Sequence, residues 1–180
     1  MMEITVMQLM AAIGCTAERA ARFVQPLNAA MRQFGIDTPE RIAAFLAQVG
    51  HESGRLHYVR EIWNPAQCPW QAAYEGRTDL GNTHPGDGSL FRGRGLIQIT
   101  GRTNYRECGL ALSLPLESSP TLLEQADNAA LSAAWFWMTH GCNELADAGE
   151  FVTITRHING GTNGLQDRLA LLATAQSALA

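Results

Sequence analysis

The stretch Thr38-Pro39-Glu40-Arg41-Ile42-Ala43-Ala44-Phe45-Leu46-Ala47-Gln48-Val49-Gly50-His51-Glu52-Ser53 decides the fold class. Thr38 offers a capping hydroxyl, and Pro39 takes the first helical position, where an N–H would be unsatisfied anyway. Ile42, Phe45, Leu46 and Val49 fall at i, i+3, i+4 and i+7, the spacing of a helix with one face in a core. Glu52 stands three residues further along that face. A carboxyl group in such a place is partly desolvated, and desolvation favours the protonated form. A carboxylic acid kept that way can donate a proton.

Working outward, helical patterns flank this segment on both sides. Thr5 is placed to cap a short helix running to about Ile13. Thr16 opens another through Phe23, Val24, Leu27, Met31 and Phe34, ended by Gly35, with a kink or break expected at Pro26. From about Gly54 to Gly101 the chain is rich in Gly, Pro, Asn and Asp, as in His84-Pro85-Gly86-Asp87-Gly88. Turn-rich segments of this length in a compact domain are usually functional. Leu96 to Thr100 reads as a short strand or an extended segment. Helical patterns then resume from Thr103 to about Cys108, from about Ala126 to Thr139, from Phe151 to Ile158, and over 164–179 with Asn163 as its cap. Thr121-x-x-Glu124 has the form of a capping box. The expected fold is mostly α, one domain over 1–180, with a loop-rich insert lining a substrate groove.

Composition bounds the function. The 180 residues are 46% hydrophobic and 17% charged, with a net charge of −4. That is a folded chain without the basic footprint of a nucleic-acid binder. No stretch reaches membrane-spanning length, so no stable membrane association is expected. Met1-Met2-Glu3-Ile4-Thr5 does not have the form of a signal peptide, which points to a cytoplasmic location. Cys15, Cys68, Cys108 and Cys142 are widely spaced, and we expect them to be mostly buried and reduced. A monomer is expected, with no cofactor and no metal.

Several motifs are incomplete. His51-Glu52 lacks the second His of a zinc-protease helix, since the next is His57. Gly93-x-Gly95-x-x-Gln98 lacks the third Gly of a dinucleotide loop. No Gly-x-Ser-x-Gly occurs, so a nucleophile elbow has no support. Carboxylates remain: Glu52, Glu61 in His57-Tyr58-Val59-Arg60-Glu61-Ile62-Trp63, and Glu75 in Tyr74-Glu75-Gly76-Arg77. Hydrolysis of a glycosidic bond needs one acid to protonate the leaving oxygen and a second carboxylate to activate water. Glu52 suits the first role. Glu61 or Glu75, beside Arg60 or Arg77, suits the second. Gln98, Thr100, Asn104, Tyr105 and Asn159 are candidate sugar ligands, and Tyr58, Trp63, Trp70 and Tyr74 are candidate aromatic platforms. Trp135 and Trp137 read as core residues of their helix.

Three segments together resemble glycoside hydrolase family 19. Ala47-Gln48-Val49-Gly50-His51-Glu52-Ser53 is similar to that family's acid-bearing helix. Arg92-Gly93-Arg94-Gly95-Leu96-Ile97-Gln98-Ile99-Thr100-Gly101-Arg102-Thr103-Asn104-Tyr105 is similar to its Gly-Arg-Gly segment. Ile158-Asn159-Gly160-Gly161 with Arg168 resembles its Ile-Asn-Gly-Gly motif and downstream Arg. The likeness runs from about Phe45 to Arg168, and the form of 74–88 is closer to the endolysin branch than to plant chitinases.

The resemblance implies a lysozyme-like fold and hydrolysis with inversion, for which the carboxyl groups stand about 6.5–9.5 Å apart. It implies Glu52 as general acid, with Glu61 and Glu75 competing for general base. Gln98, Thr100, Asn104 and Asn159 match sugar-contacting or water-positioning sites, and Arg168 a position that pairs with acids near the site. The expected substrate is a cell-wall polysaccharide, cut at the β-1,4 bond between N-acetylmuramic acid and N-acetylglucosamine by a phage or prophage lysis enzyme. Such an enzyme stays cytoplasmic until a membrane lesion releases it to the periplasm. The alternatives are a chitinase and a catalytically inactive glycan-binding module. Unlike many endolysins, the sequence shows no extra basic residues, and no wall-binding module is expected.

Overall fold

The computed structural model describes residues 2–180. Short polar caps set the ends of its first helices. Thr5 forms a reciprocal capping box with Gln8 at the start of α1 (Val6–Ile13), and Thr16 and Thr38 accept backbone N–H groups at the starts of α2 (Ala17–Gln33) and α3 (Pro39–Glu52). Pro26 does not break α2. The helix continues through it with Phe23, Val24, Leu27, Ala30 and Met31 all buried. Packing of that face outweighs the one hydrogen bond that the Pro removes.

Every residue of α3 from Ile42 to Gly50 is buried, so the helix is enclosed on more than its predicted stripe. Each of Ile42, Phe45, Leu46 and Val49 has no exposed surface, a burial that contributes about 1.5–3 kcal/mol per side chain. The insert contributes only one-turn helices, α4 (Pro69–Ala72) and α5 (Asp87–Leu90), with a 3₁₀ turn at Thr78–Leu80. Beyond it come α6 (Arg102–Leu112), a 3₁₀ turn at Pro120–Glu124, α7 (Ala126–Thr139), α8 (Cys142–Asp147), α9 (Phe151–Asn159) and α10 (Leu165–Leu179). α8 has no counterpart among the expected helices, being only six residues long. α3 packs chiefly on α10, α1 on α10, and α2 on α7. Among the described residues, no helix is long and apolar enough to cross a membrane.

Two expected caps are absent. Thr121 and Glu124 form no box, because Glu124 turns instead to Arg94 and Arg60. Asn163 does not cap α10. The N-cap is Gly164, at φ +70°, where a Cβ would lie 2.2 Å from the His51 ring. Leu96–Thr100 is neither the strand nor the extended segment expected: 95–98 is a turn closed by paired hydrogen bonds between Arg94 and Ile99, and Arg94 also forms an isolated bridge to Arg60. All four cysteines are free, and Cys15, Cys108 and Cys142 are buried.

Most of the large apolar side chains pack in one core, and a smaller cluster of Phe91, Ile99, Tyr105, Cys108, Leu116 and Leu123 sits beneath the insert. Buried polar groups bind the insert to this cluster. Asn82 links Tyr74 O to Arg102 N, and Asp87 receives both Nε and Nη2 of Arg102. That bidentate contact pulls the Asp87 carboxyl down to about 2. Its folded-state value therefore lies below the unfolded one. The contribution is complete above about pH 4 and is lost as pH falls through about 2. Asp87→Asn should cost about 2 kcal/mol in urea unfolding at pH 7 and leave a stability profile flatter than wild type between about pH 4 and pH 2.

Candidate active site

Glu52 is the last residue of α3, and its side chain keeps 21% of its surface exposed. Its Oε1 accepts from Arg168 Nη2 at 2.5 Å. The expected apolar shelter is therefore only half of the environment, because a guanidinium stands against the carboxyl. Arg168 comes from α10 and is itself 1% exposed. It also donates to Gln48 Oε1 at 2.5 Å and to Asn163 O at 3.1 Å. Gln48, fully buried one turn before Glu52, donates in turn to Thr155 Oγ1 of α9 at 2.8 Å. Three helices thus fix one Glu52 oxygen, and no protein donor is bonded to the other among the described residues.

After α3 the chain turns through Gly54, Arg55 and Leu56, all left-handed at φ 55°, 57° and 62°. A left-handed non-Gly residue costs about 1–2 kcal/mol. The turn is held by Ser53 Oγ accepting from Leu56 N, by burial of Leu56, and by Arg55 on Asp167. Asp167 also meets His51 Nδ1 at 2.6 Å, and Arg55 first and His51 second hold its carboxyl below the usual range. The chain then runs alongside 93–95, with Glu61 N donating to Gly93 O at 2.8 Å and Gly95 N to Val59 O at 2.9 Å.

This pairing places Glu61. Its Oε1 accepts from Gln71 Nε2 at 2.9 Å and its Oε2 from Gly93 N at 3.3 Å. Gln71 is 2% exposed and is locked by Asn64 N and Ile62 O. Glu52 and Glu61 line one cleft of about 240 Å³ with Tyr58, Arg60, Ile62 and Gln98. Gln98 crosses over Gly93, where a Cβ would sit 2.2 Å from its Oε1. It also lines a second cavity of about 350 Å³ with Thr100, Asn104 and Trp135. A wider depression of about 830 Å³ along 102–118 holds none of the predicted site residues.

Apart from Arg168, six predicted residues lie outside both cavities: Trp63 and Tyr74 pack on each other with ring centroids 6.1 Å apart, Trp70 is exposed, and Glu75, Tyr105 and Asn159 serve the fold. Glu75 is exposed, and its two oxygens accept from Gly86 N and Gly88 N, at the start of α5. Its carboxylate ties two turns of the insert together and does not line the cleft. Tyr105 is fully buried; its hydroxyl donates to Arg92 O and accepts from Arg94 Nη1, and burial pushes it up to about 12. It braces the 92–99 loop from beneath. Asn159 is exposed at the end of α9 and accepts from Asn163 N, outside both cavities. Trp137 is buried as expected, but Trp135 is only half-buried and faces the second cavity. Sequence spacing could not show this, because both tryptophans sit in a helix that is apolar almost all round.

The geometry has relatives. The family model described as chitinase class I matches residues 28–155. The chain belongs to glycoside hydrolase family 19. A glycosyl hydrolase family 19 domain-containing protein of Haemophilus influenzae is 33% identical over 172 residues, covering 82% of this chain and 84% of that protein. An endochitinase of Arabidopsis thaliana is 38% identical over 128 residues, covering 71% of this chain but 41% of the plant protein. The chain therefore spans less than half the length of that plant relative. Chitinase C from Streptomyces griseus superposes with a TM-score of 0.75 at 25% identity, covering 98% of this chain and 76% of that one. The mostly helical, lysozyme-like architecture is that of family 19. The matched segment contains Glu52, Glu61, Gln98, Thr100 and Asn104, while Arg168 lies beyond it.

The support beneath Glu52 can be tested without substrate. Gln48→Leu leaves Arg168 Nη1 and the Thr155 hydroxyl without their fully buried partner. It should lower unfolding free energy by about 1–3 kcal/mol. Thr155→Ala should add less in that background than in wild type, a non-additivity read by denaturant titration of the four proteins.

Proposed function

We propose that this chain is a peptidoglycan hydrolase cutting the β-1,4 bond between N-acetylmuramic acid and N-acetylglucosamine. The observation that carries the reading is the pairing of Glu52 and Glu61 across one cleft on unlike supports. Glu52, oriented by Arg168 through one oxygen, gives a proton to the bridging sugar oxygen. Glu61, held by the neutral donors Gln71 and Gly93, takes a proton from water as that water attacks the anomeric carbon. The bond from that carbon to the bridging oxygen breaks, the configuration inverts, and both carboxyl groups exchange protons with solvent to restart. On this reading the enzyme reaches the wall from the periplasmic side after release from the cytoplasm.

The choice of an acid-bearing glycan rests on local charge. Arg60 lines the cleft. Burial, and then the charges of Arg94 and Arg60, push the neighbouring Arg92 guanidinium below its ordinary range, and its Nε is buried without a hydrogen-bond partner. Glu124 is shared between Arg94 at 2.8 Å and Arg60 at 3.3 Å and does not pair with Arg92, so one carboxylate faces three guanidinium groups. The lactyl and peptide carboxyl groups of peptidoglycan would meet this surplus. Chitin is the second reading, favoured by the plant relatives named as endochitinases.

The test runs clearing of chloroform-treated Gram-negative cells beside hydrolysis of chitin oligomers. Wild type should clear the cells, whereas cleavage of chitin alone selects the second reading. Glu52→Gln should lower the rate about 10²–10⁴-fold and also lower the melting temperature, because Arg168 loses its charged partner; Glu61→Gln should lower the rate as much with melting nearly unchanged. Glu75→Gln should do the reverse, keeping the rate and lowering the melting temperature, because it weakens the contacts that hold Gly86 and Gly88.

A further inference from the structure

Between Gly54 and Gly101 four polar side chains are buried, Gln71, Asn82, Asp87 and Arg94, each with 2% or less of its surface exposed. Asn82 and Asp87 serve the backbone and Arg102, and Arg94 serves Leu90 O, Tyr105 and Glu124. Of the four, Gln71 alone reaches a carboxylate of the catalytic cleft. Its Nε2 donates to Glu61 Oε1 at 2.9 Å and to Ile62 O at 2.7 Å, and its Oε1 accepts from Asn64 N at 2.6 Å. These three contacts fix which way the amide points. A flipped amide would set its oxygen against a carboxylate and a carbonyl, and its nitrogen against an N–H.

Glu61 has few other anchors. The titratable and charged side chains around it are Glu52, Tyr58 and Arg60 in the cleft and Tyr74 in the insert, and none of them donates to it among the described residues. Its second oxygen has only the longer bond from Gly93 N, at 3.3 Å. We propose that Gln71 is a positioning residue for the general base, holding the Glu61 carboxylate in the orientation from which it takes a proton from water. The inference rests on the glycan-hydrolase reading above and adds a residue to it. A neutral donor suits the task. A guanidinium in the same place would grip the carboxylate through two charged bonds and leave it a poorer base, whereas one amide bond orients it and leaves an oxygen free for water. Gln71 also lies outside the three segments that carry the family likeness. The base is thus set by a part of the chain on which the acid does not depend.

The experiment measures kcat, KM and the pH–rate profile of two variants on whichever glycan the wild type cuts. Gln71→Met keeps the bulk and removes the bonds. Its kcat should fall about 10–100-fold with KM nearly unchanged, as for a base displaced by up to about 1 Å. The base acts in its ionised form, and losing a donor lets the proton on at higher pH, so the acid limb of the profile should rise by about one unit. Gln71→Glu keeps an acceptor for Asn64 N but sets a second carboxyl group against Glu61. The two would share a proton, and the limb should rise by about two units. Glu75→Gln loosens the insert at Gly86 and Gly88 and should leave the limb in place while melting falls. If Gln71→Met does not fold, the limb of Gln71→Glu decides alone. A limb unmoved by the Gln71 substitutions, or moved as far by Glu75→Gln, overturns the role of Gln71 and leaves the hydrolase reading intact. Wild type that cuts neither glycan overturns that reading and the role with it.

Discussion

A guanidinium with 1% of its surface in water sits between three helices, and the site depends on where it can be satisfied. Arg168 gives its donors to Glu52, Gln48 and the Asn163 carbonyl, and Gln48 passes the constraint to Thr155. Leaving such a buried charge without its partner costs about 3–5 kcal/mol. Sliding α10 by one turn against α3 would do that, whereas apolar contacts alone would re-form at many offsets. The ion pair therefore sets the register in which α3, α9 and α10 meet, and the orientation of Glu52 comes with it.

The two carboxylates have unlike foundations. Glu52 ends a helix that is buried over 42–50, so its position is fixed by the main core. Glu61 lies on an extended segment whose neighbours are Gly93 and Gln71, and its position depends on the 92–99 loop. That loop is braced by Tyr105 and by Arg94, which is shared among Leu90 O, Tyr105 and Glu124. An insert with few apolar residues cannot be held by burial alone, so hydrogen-bonded polar groups such as Asn82 and Asp87 take over. Motion in the insert would move Glu61 more than Glu52, which on the proposed reading lets the cleft admit a polymer while the acid stays in place.

What could be read from the sequence was local. The Thr caps, the stripe of α3 and the ends of α7 follow from neighbours within a few positions. The family resemblance placed Glu52, Glu61 and Gln98 in the segments that meet at the cleft. Partners far apart in the chain were not readable. Arg168 was expected to pair with an acid, but its choice of Glu52 spans 116 residues. Glu75 and Glu61 look alike in sequence, each beside an Arg in a turn-rich segment, and only the turn at Gly86–Gly88 separates them. Pro26 signalled a break because local geometry disfavours it, and the packing of α2 overrode that signal. Tyr105, expected at the site, is core, and Trp135, expected in the core, is half-buried beside a cavity, since an aromatic side chain suits a core and a cavity wall equally well.

Net charge illustrates the same limit. The chain carries −4, which suggested no attraction for an anionic polymer. Most arginines are spent on internal acids, as Arg41 is on Asp147, Arg102 on Asp87 and Arg168 on Glu52. Arg92 differs, since burial and two neighbouring cations disfavour its charge and its Nε has no partner. A free protein gains nothing from such an arrangement. On the proposed reading, an acid-bearing strand seated beside Arg60, which lines the cleft, would ease the repulsion among these cations at short range, with no help from the overall field.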